Sequence, residues 1–299
     1  MASFFDEIAR NRTKSILLML LFGLLFAGVI YAFVILLGGG IFGFFIGIII
    51  IAVYAIISYH SGYKLVLKFS GAKEADKSQY SSLYNMIEGL SAAAAVPMPK
   101  VYIIQDPNPN AFATGRNKKT SAIAVTSGLL STMDRNELAG VLAHETSHIA
   151  NNDVQFMTIA VIFAGVIGLI AAYARMIFFW GPSFRNNNEN GGILLLIALA
   201  IGLLAPLFAM LIRLSISRKR EYMADANGAR MTRAPMFLAS ALKKIQAYQT
   251  GPKQTPVKNA NEVTAPMYFA NPLSVKSMAN LLSTHPPIED RIKKLEEMY

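Results

Sequence analysis

Four stretches of this chain are long and uncharged enough to cross a lipid bilayer, and they fall into two pairs. A helix needs about 20 consecutive apolar residues to span the hydrocarbon core, because each residue adds only about 1.5 Å of length. The first pair is Ser15 to Leu37 and Ile41 to Ser58, parted by Gly38-Gly39-Gly40, whose glycines let the chain reverse. The second is Val154 to Ala174 and Ile193 to Ile212, joined by a polar, turn-rich stretch from Gly181 to Gly192. Gln155, Thr158, Arg175 and Pro206 dilute this second pair, so buried core helices or an interfacial hairpin are its alternative. At 54% hydrophobic and 15% charged, the 299 residues are too apolar for an ordinary soluble domain.

The charges give the hairpins a direction. Arg10, Arg12 and Lys14 precede the first span, and Lys64, Lys68, Lys73 and Lys77 follow the second. Arg213, Arg218, Lys219 and Arg220 follow the fourth. The positive-inside rule therefore places both termini in the cytoplasm, as expected for a multi-pass protein of the cell membrane. The first apolar run is too long for a signal peptide and lacks a small-residue cleavage site, so it reads as an anchor. The net charge of +10 gathers at the ends of apolar runs rather than along an aromatic-interleaved stripe. A lipid bilayer is thus the expected partner, and nucleic acid is not. With no cysteine in the chain, disulfides and thiolate chemistry are excluded, and any metal must be held by His and carboxylates.

Between and after the hairpins the pattern becomes that of an α+β domain. Asp76 to Val96 reads as a helix with Leu83, Met86, Ile87 and Leu90 at helical spacing. Val101 to Ile104, Ala111 to Thr114 and Ala122 to Val125 read as short strands of an antiparallel meander. Asp134, with Glu137 three residues on, caps a helix running to about Ala150. Glu221 to Met231, Pro235 to Gln249 and Ile288 to Met298 read as helices, with a polar loop from Gly251 to Pro266. The expected organisation is a tail and first hairpin over residues 1–60, the first part of a folded domain over 61–153, a second hairpin over 154–214 and the second part of that domain over 215–299.

The helix capped by Asp134 carries His-Glu-Thr-Ser-His. His144 and His148 are four apart, so their imidazoles leave one helix face and can share an ion, while Glu145 can reach a water beside it. Zinc acidifies a bound water to a pKa of about 7, and the adjacent carboxylate moves the proton. A catalytic zinc keeps three protein ligands and an open position. Glu221 is the best candidate for the third, with Asp225 one turn on to orient a ligand His. Both metal-bearing helices then meet the membrane at the same face. His60 reads as interfacial. His285 is open between two roles: either it or Thr284 caps a helix begun by Pro286, or it donates to an oxyanion near the metal.

Beyond His144 to Ile149, the chain carries Asn-Ala-Phe-Ala-Thr-Gly at 110–115, Ser-Arg-Lys-Arg-Glu-Tyr-Met-Ala-Asp at 217–225 and Thr-His-Pro-Pro-Ile-Glu-Asp-Arg-Ile at 284–292. Together these resemble the HtpX family of membrane zinc metalloproteases, relatives of the Ste-type CAAX prenyl proteases. The resemblance implies four transmembrane helices in two hairpins with a cytoplasmic, zincin-like catalytic domain. It also implies one zinc per subunit on His144, His148 and Glu221, with Glu145 as general base. Arg291 and His285 match the family pattern, as residues that bind substrate or stabilise an oxyanion. Asn110, Ala111, Phe112, Ala113 and Thr114 would form an edge strand holding an extended substrate, which suits backbone pairing with little sequence demand. The activity implied is proteolytic quality control of membrane or unfolded polypeptides under stress. An intramembrane metalloprotease fits less well, because Asn151, Asn152 and Asp153 directly follow the motif. A non-catalytic metal-binding membrane scaffold is the remaining alternative; it would call for charges within the spans, where Arg175 lies near an end.

Overall fold

The computed structural model describes residues 40–155, 158, 218–251, 256–260, 267–270, 272 and 286–298. The chain divides into two compact units, Met1–His60 with Ile162–Ser215 and Ser61–Val161 with Ile216–Tyr299. In the first unit the described part belongs to helix α1 (Gly40–Phe69). Phe42, Phe45, Ile46, Ile49, Val53, Ile56 and Ile57 recur at spacings of three and four and are all exposed, so one side of this helix is a bare apolar stripe. Among the described residues no helix is long and apolar enough to cross a membrane. The expected span from Ile41 to Ser58 is helical within α1, with part of its side chains described. The expected spans 15–37 and 193–212, and all but the start of 154–174, lie outside the described residues.

The second unit is a four-stranded sheet with helices packed against it. Strand β1 (Lys73–Glu74) precedes helix α2 (Ser81–Ala93). That helix starts five residues later than Asp76 because the Asp76 carboxylate accepts from the Ser78 amide at 2.7 Å and its hydroxyl at 2.6 Å. Such a side-chain turn competes with the helical ladder. Strands β2 (Lys100–Ile104), β3 (Ala111–Gly115) and β4 (Ser121–Thr126) fall within a residue of the three short strands expected. Their order differs. It is β1-β2-β4-β3, with β4 parallel to β2 and antiparallel to β3, rather than an antiparallel meander.

The loop after β2 accounts for the difference. Asp106 accepts from the amide and side chain of Asn108, and Thr126 donates to the Asn108 carbonyl at 2.6 Å. These buried contacts carry the chain over the end of β4 to the far edge before it turns back. Central strands buried on both faces read as continuous apolar runs, which hide strand order.

Helix α3 (Ser127–Thr132) follows, capped by Thr126, and then α4 (Arg135–Ala150), which carries the two histidines. Asp134 and Glu137 close a capping box at its start. Every residue from Val141 to Ile149 is buried, since α4 is covered by α2, the sheet, α5 (Arg218–Thr232) and α6 (Pro235–Thr250). Two glycines permit that enclosure. A Cβ on Gly228 would stand 3.1 Å from the backbone nitrogen of His144, and one on Gly140 would stand 2.6 Å from that of Leu238. Helix α7 (Ile288–Glu296) packs on α5 and α6, with Pro287 as its N-cap and no side-chain cap. The helix therefore starts two residues beyond Pro286; Thr284 and His285 lie outside the described residues.

Candidate metal centre

Each histidine of α4 is held from both ends. His144 and His148 turn their Nε2 atoms toward each other at 3.1 Å. The Glu221 carboxylate lies 3.8 Å from one and 3.5 Å from the other. Their Nδ1 atoms point away, toward Asp225 at 2.9 Å for His144 and Asp153 at 3.1 Å for His148. A carboxylate on Nδ1 takes that nitrogen's hydrogen and leaves the lone pair on Nε2. Arg291 Nη2 also lies 3.3 Å from His144 Nδ1. One ring nitrogen cannot donate and accept together, and the shorter contact assigns the hydrogen to Asp225.

Three electron-pair donors thus converge in a buried pocket, their ligand atoms within 4.8 Å of one another. Without a cation the lone pairs would repel. Donors about 2.0–2.1 Å from a tetrahedral zinc are about 3.3 Å apart, close to the separations found here. The surrounding charge agrees. Glu145, Glu221, Asp225 and Asp153 are buried with Arg220 and Arg291, so four carboxylates face two guanidinium groups. Buried carboxylates outnumber the guanidinium groups, which favours a bound cation, since uncompensated buried charge is costly.

Protons mark where positive charge is wanted. Burial pushes the Glu145 carboxyl up to about 7, assisted by the charge of Glu221. Burial pulls the His148 imidazole down, but the hydrogen bond it donates to Asp153 and the charges of Glu221, Asp153 and Glu145 lift it to about 9. His144 goes the other way: burial takes it to about 4 against the pull of Asp225, and the charge of Arg291 adds to the fall. Glu145 is steadied by the backbone N–H of Ala113 on β3.

Other sequence candidates are placed differently. Arg291 is buried and donates to Asp225 from Nε at 2.9 Å and Nη2 at 2.7 Å, with Nη1 3.5 Å from the Phe269 carbonyl. This commits it to Asp225 rather than to an open substrate position. The edge strand β3 is partly engaged by its own chain. Phe269 N–H donates to the Ala111 carbonyl at 2.8 Å, and the Asn110 amide clamps Ala270 in both directions. Phe112 is buried edge-on to Tyr268, and Thr114 pairs with Thr158 at 2.9 Å. Residues not singled out from sequence as part of the centre are Asp153, Arg220 and Phe269, whose ring meets His144 edge-on with centroids 5.1 Å apart. For Asp153, the signal was a carboxylate five residues beyond His148 with a turn-forming Asn before it.

Two histidines from one helix and a glutamate from another, with a second glutamate beside them, are the constellation of a metallopeptidase. The chain belongs to peptidase family M48, whose profile matches residues 77–299. It is 43% identical over 296 residues to a protein of Dictyoglomus thermophilum named protease HtpX homolog, covering 99% of this chain and 95% of that one. A protein of the same name from Ligilactobacillus salivarius is 38% identical over 302 residues, covering 98% and 99%. Among solved structures, S. mikatae Ste24p aligns with a TM-score of 0.49 and 18% identity, covering 96% of this chain and 66% of that one, just under two-thirds. The chain is therefore a metalloprotease, and its family implies a divalent metal.

Proposed function

We propose that the chain is a zinc endopeptidase anchored in the cell membrane, which cleaves misfolded or damaged membrane polypeptides at the cytoplasmic face. The observation that carries this reading is the convergence of His144 Nε2, His148 Nε2 and the Glu221 carboxylate in one buried pocket. These residues would hold the ion, which supplies a Lewis acid for the scissile carbonyl and acidifies a water. Glu145, next to His144 on the same helix, would take a proton from an attacking water and pass it to the leaving amine. Asp225 and Asp153 keep each imidazole in the tautomer that offers Nε2.

Substrate would lie extended along β3. The Ala113 carbonyl points the same way as that of Ala111, by the two-residue repeat of a strand, and so toward the outer edge. Backbone pairing there would select for unfolded chain rather than for a sequence. The apolar stripe on α1 and the basic flanks of the apolar runs support a bilayer anchor with both ends cytoplasmic.

Glu145→Gln tests the chemistry. It should retain zinc and lose at least about a hundredfold of its cleavage rate on a model membrane substrate in detergent. Unchanged cleavage would remove Glu145 as the base. Because the chain has no cysteine, topology is open to labelling of single substitutions. An impermeant thiol reagent outside the cell should reach Asn187→Cys and not Asn136→Cys, and the reverse pattern would overturn the orientation.

A further inference from the structure

The carboxylate of Asp153 stands where sequence spacing alone would not put it. On a continuous helix a residue five positions after His148 lies about 140° around the axis, out of reach of its imidazole. Here α4 ends at Ala150, and Asn152 adopts a left-handed conformation with φ of 60°. Asparagine tolerates that conformation better than other side-chain-bearing residues. The turn brings Asp153 back over the last turn of α4, its Oδ2 3.1 Å from His148 Nδ1. Its other oxygen, Oδ1, lies 3.5 Å from Nη1 of Arg220. Arg220 immediately precedes Glu221, so the residue that holds Asp153 and the proposed third ligand share the first turn of α5. Asp153 and Arg220 are both buried, at 4% and 7% exposure, where an ion pair is weakly screened.

We infer that Asp153 and Arg220 are positioning residues of the metal centre. Asp153 fixes the ring plane and tautomer of His148, and Arg220 fixes Asp153 while registering α5, and with it Glu221, against the end of α4. The inference rests on the proposed metal set of His144, His148 and Glu221. It accounts for a buried Asp–Arg pair outside the proposed ligand set.

The test uses the full chain in detergent and measures zinc affinity by competition with a chelator, alongside the visible spectrum of the cobalt-substituted protein. Asp153→Asn keeps the volume and one acceptor oxygen and should bind zinc about tenfold more weakly; Asp153→Ala should bind about a hundredfold more weakly. Arg220→Met should also weaken binding by about tenfold, with most of that recovered in Arg220→Lys. The cobalt bands should shift in both Asp153 variants and stay in place in Glu74→Gln, which breaks an exposed ion pair with Lys100. A role in stability alone would not move those bands. Affinity within twofold of wild type and unshifted bands in the Asp153 variants would overturn the inference. If Asp153→Ala does not fold, Asp153→Asn decides by the same measures. Wild-type protein that binds neither zinc nor cobalt would instead overturn the metal reading beneath it.

Discussion

The two histidines of α4 are served by two relays of the same composition and different construction. His144 leads to Asp225 and then to Arg291, drawing on three helices that are far apart in the chain. His148 leads to Asp153 and then to Arg220, and its first two members are five residues apart. In the first relay the guanidinium grips both oxygens of Asp225, at 2.9 and 2.7 Å, and lies against the Phe269 ring 5.0 Å from its centroid. In the second the guanidinium stands 3.5 Å from one oxygen. A bidentate, fully enclosed pair fixes direction as well as distance, so the first relay acts as a rigid strut joining α4, α5 and α7. The second is a longer contact at the end of α4. The metal pocket thus has one wall set by tertiary packing and one set by a local turn.

Arg291→Met should give the largest effect and tests whether the long-range relay is the strut. It leaves Asp225 buried with no guanidinium, a change that costs about 3–5 kcal/mol for a broken buried pair. Arg220→Met removes one longer contact to Asp153, where Arg291→Met removes two short ones to Asp225, and should cost about 1–2 kcal/mol. Chemical unfolding of the two metal-free variants measures the difference, and equal losses would erase the distinction. The pH response should differ as well. Asp225 lies below the ordinary carboxylate range because, although burial raises it, the Arg291 charge and hydrogen bonds from His144 and Arg291 lower it further. A depressed folded pKa stabilises the fold fully above the unfolded value of about 3.9 and is lost as pH falls through the lower folded value. Without Arg291 that protection shrinks, so acid unfolding of Arg291→Met should begin at higher pH than in wild type.

The contrast also explains what could be read in advance. The α4 helix, its Asp134 cap and the four-residue spacing of His144 and His148 depend on local sequence, and the structure has all three. Asp225 was legible because it repeats that spacing from Glu221 on a second helix. Arg291 showed only as part of a motif; its partner is 66 residues away, and periodicity says nothing of contacts at that range. The strand order escaped for a similar reason, since the choice between a meander and an inserted β4 is made by buried hydrogen bonds in the loop from Asp106 to Asn110. Asp153 was visible as a polar residue after the motif. Its role depends on one backbone angle at Asn152, which spacing rules for a regular helix cannot express.

That angle supplies the smallest effect. If the local relay is aimed by the turn, Asn152→Gly should leave zinc affinity within about twofold of wild type, because glycine adopts positive φ without steric cost. Asn152→Val should lose about 1–2 kcal/mol of stability, since a β-branched side chain resists the left-handed region. Its zinc affinity should fall severalfold as Asp153 swings from His148, while the contacts of Asp225 and Arg291 stay as they are. Chelator competition on both variants reads the affinity, and imidazole proton resonances of the zinc-loaded protein read the geometry. Movement of the His148 resonances with those of His144 unchanged would mark the relays as independent. Equal movement of both would mean that the end of α4 shifts as one body, and the two walls of the pocket would then have to be treated as one.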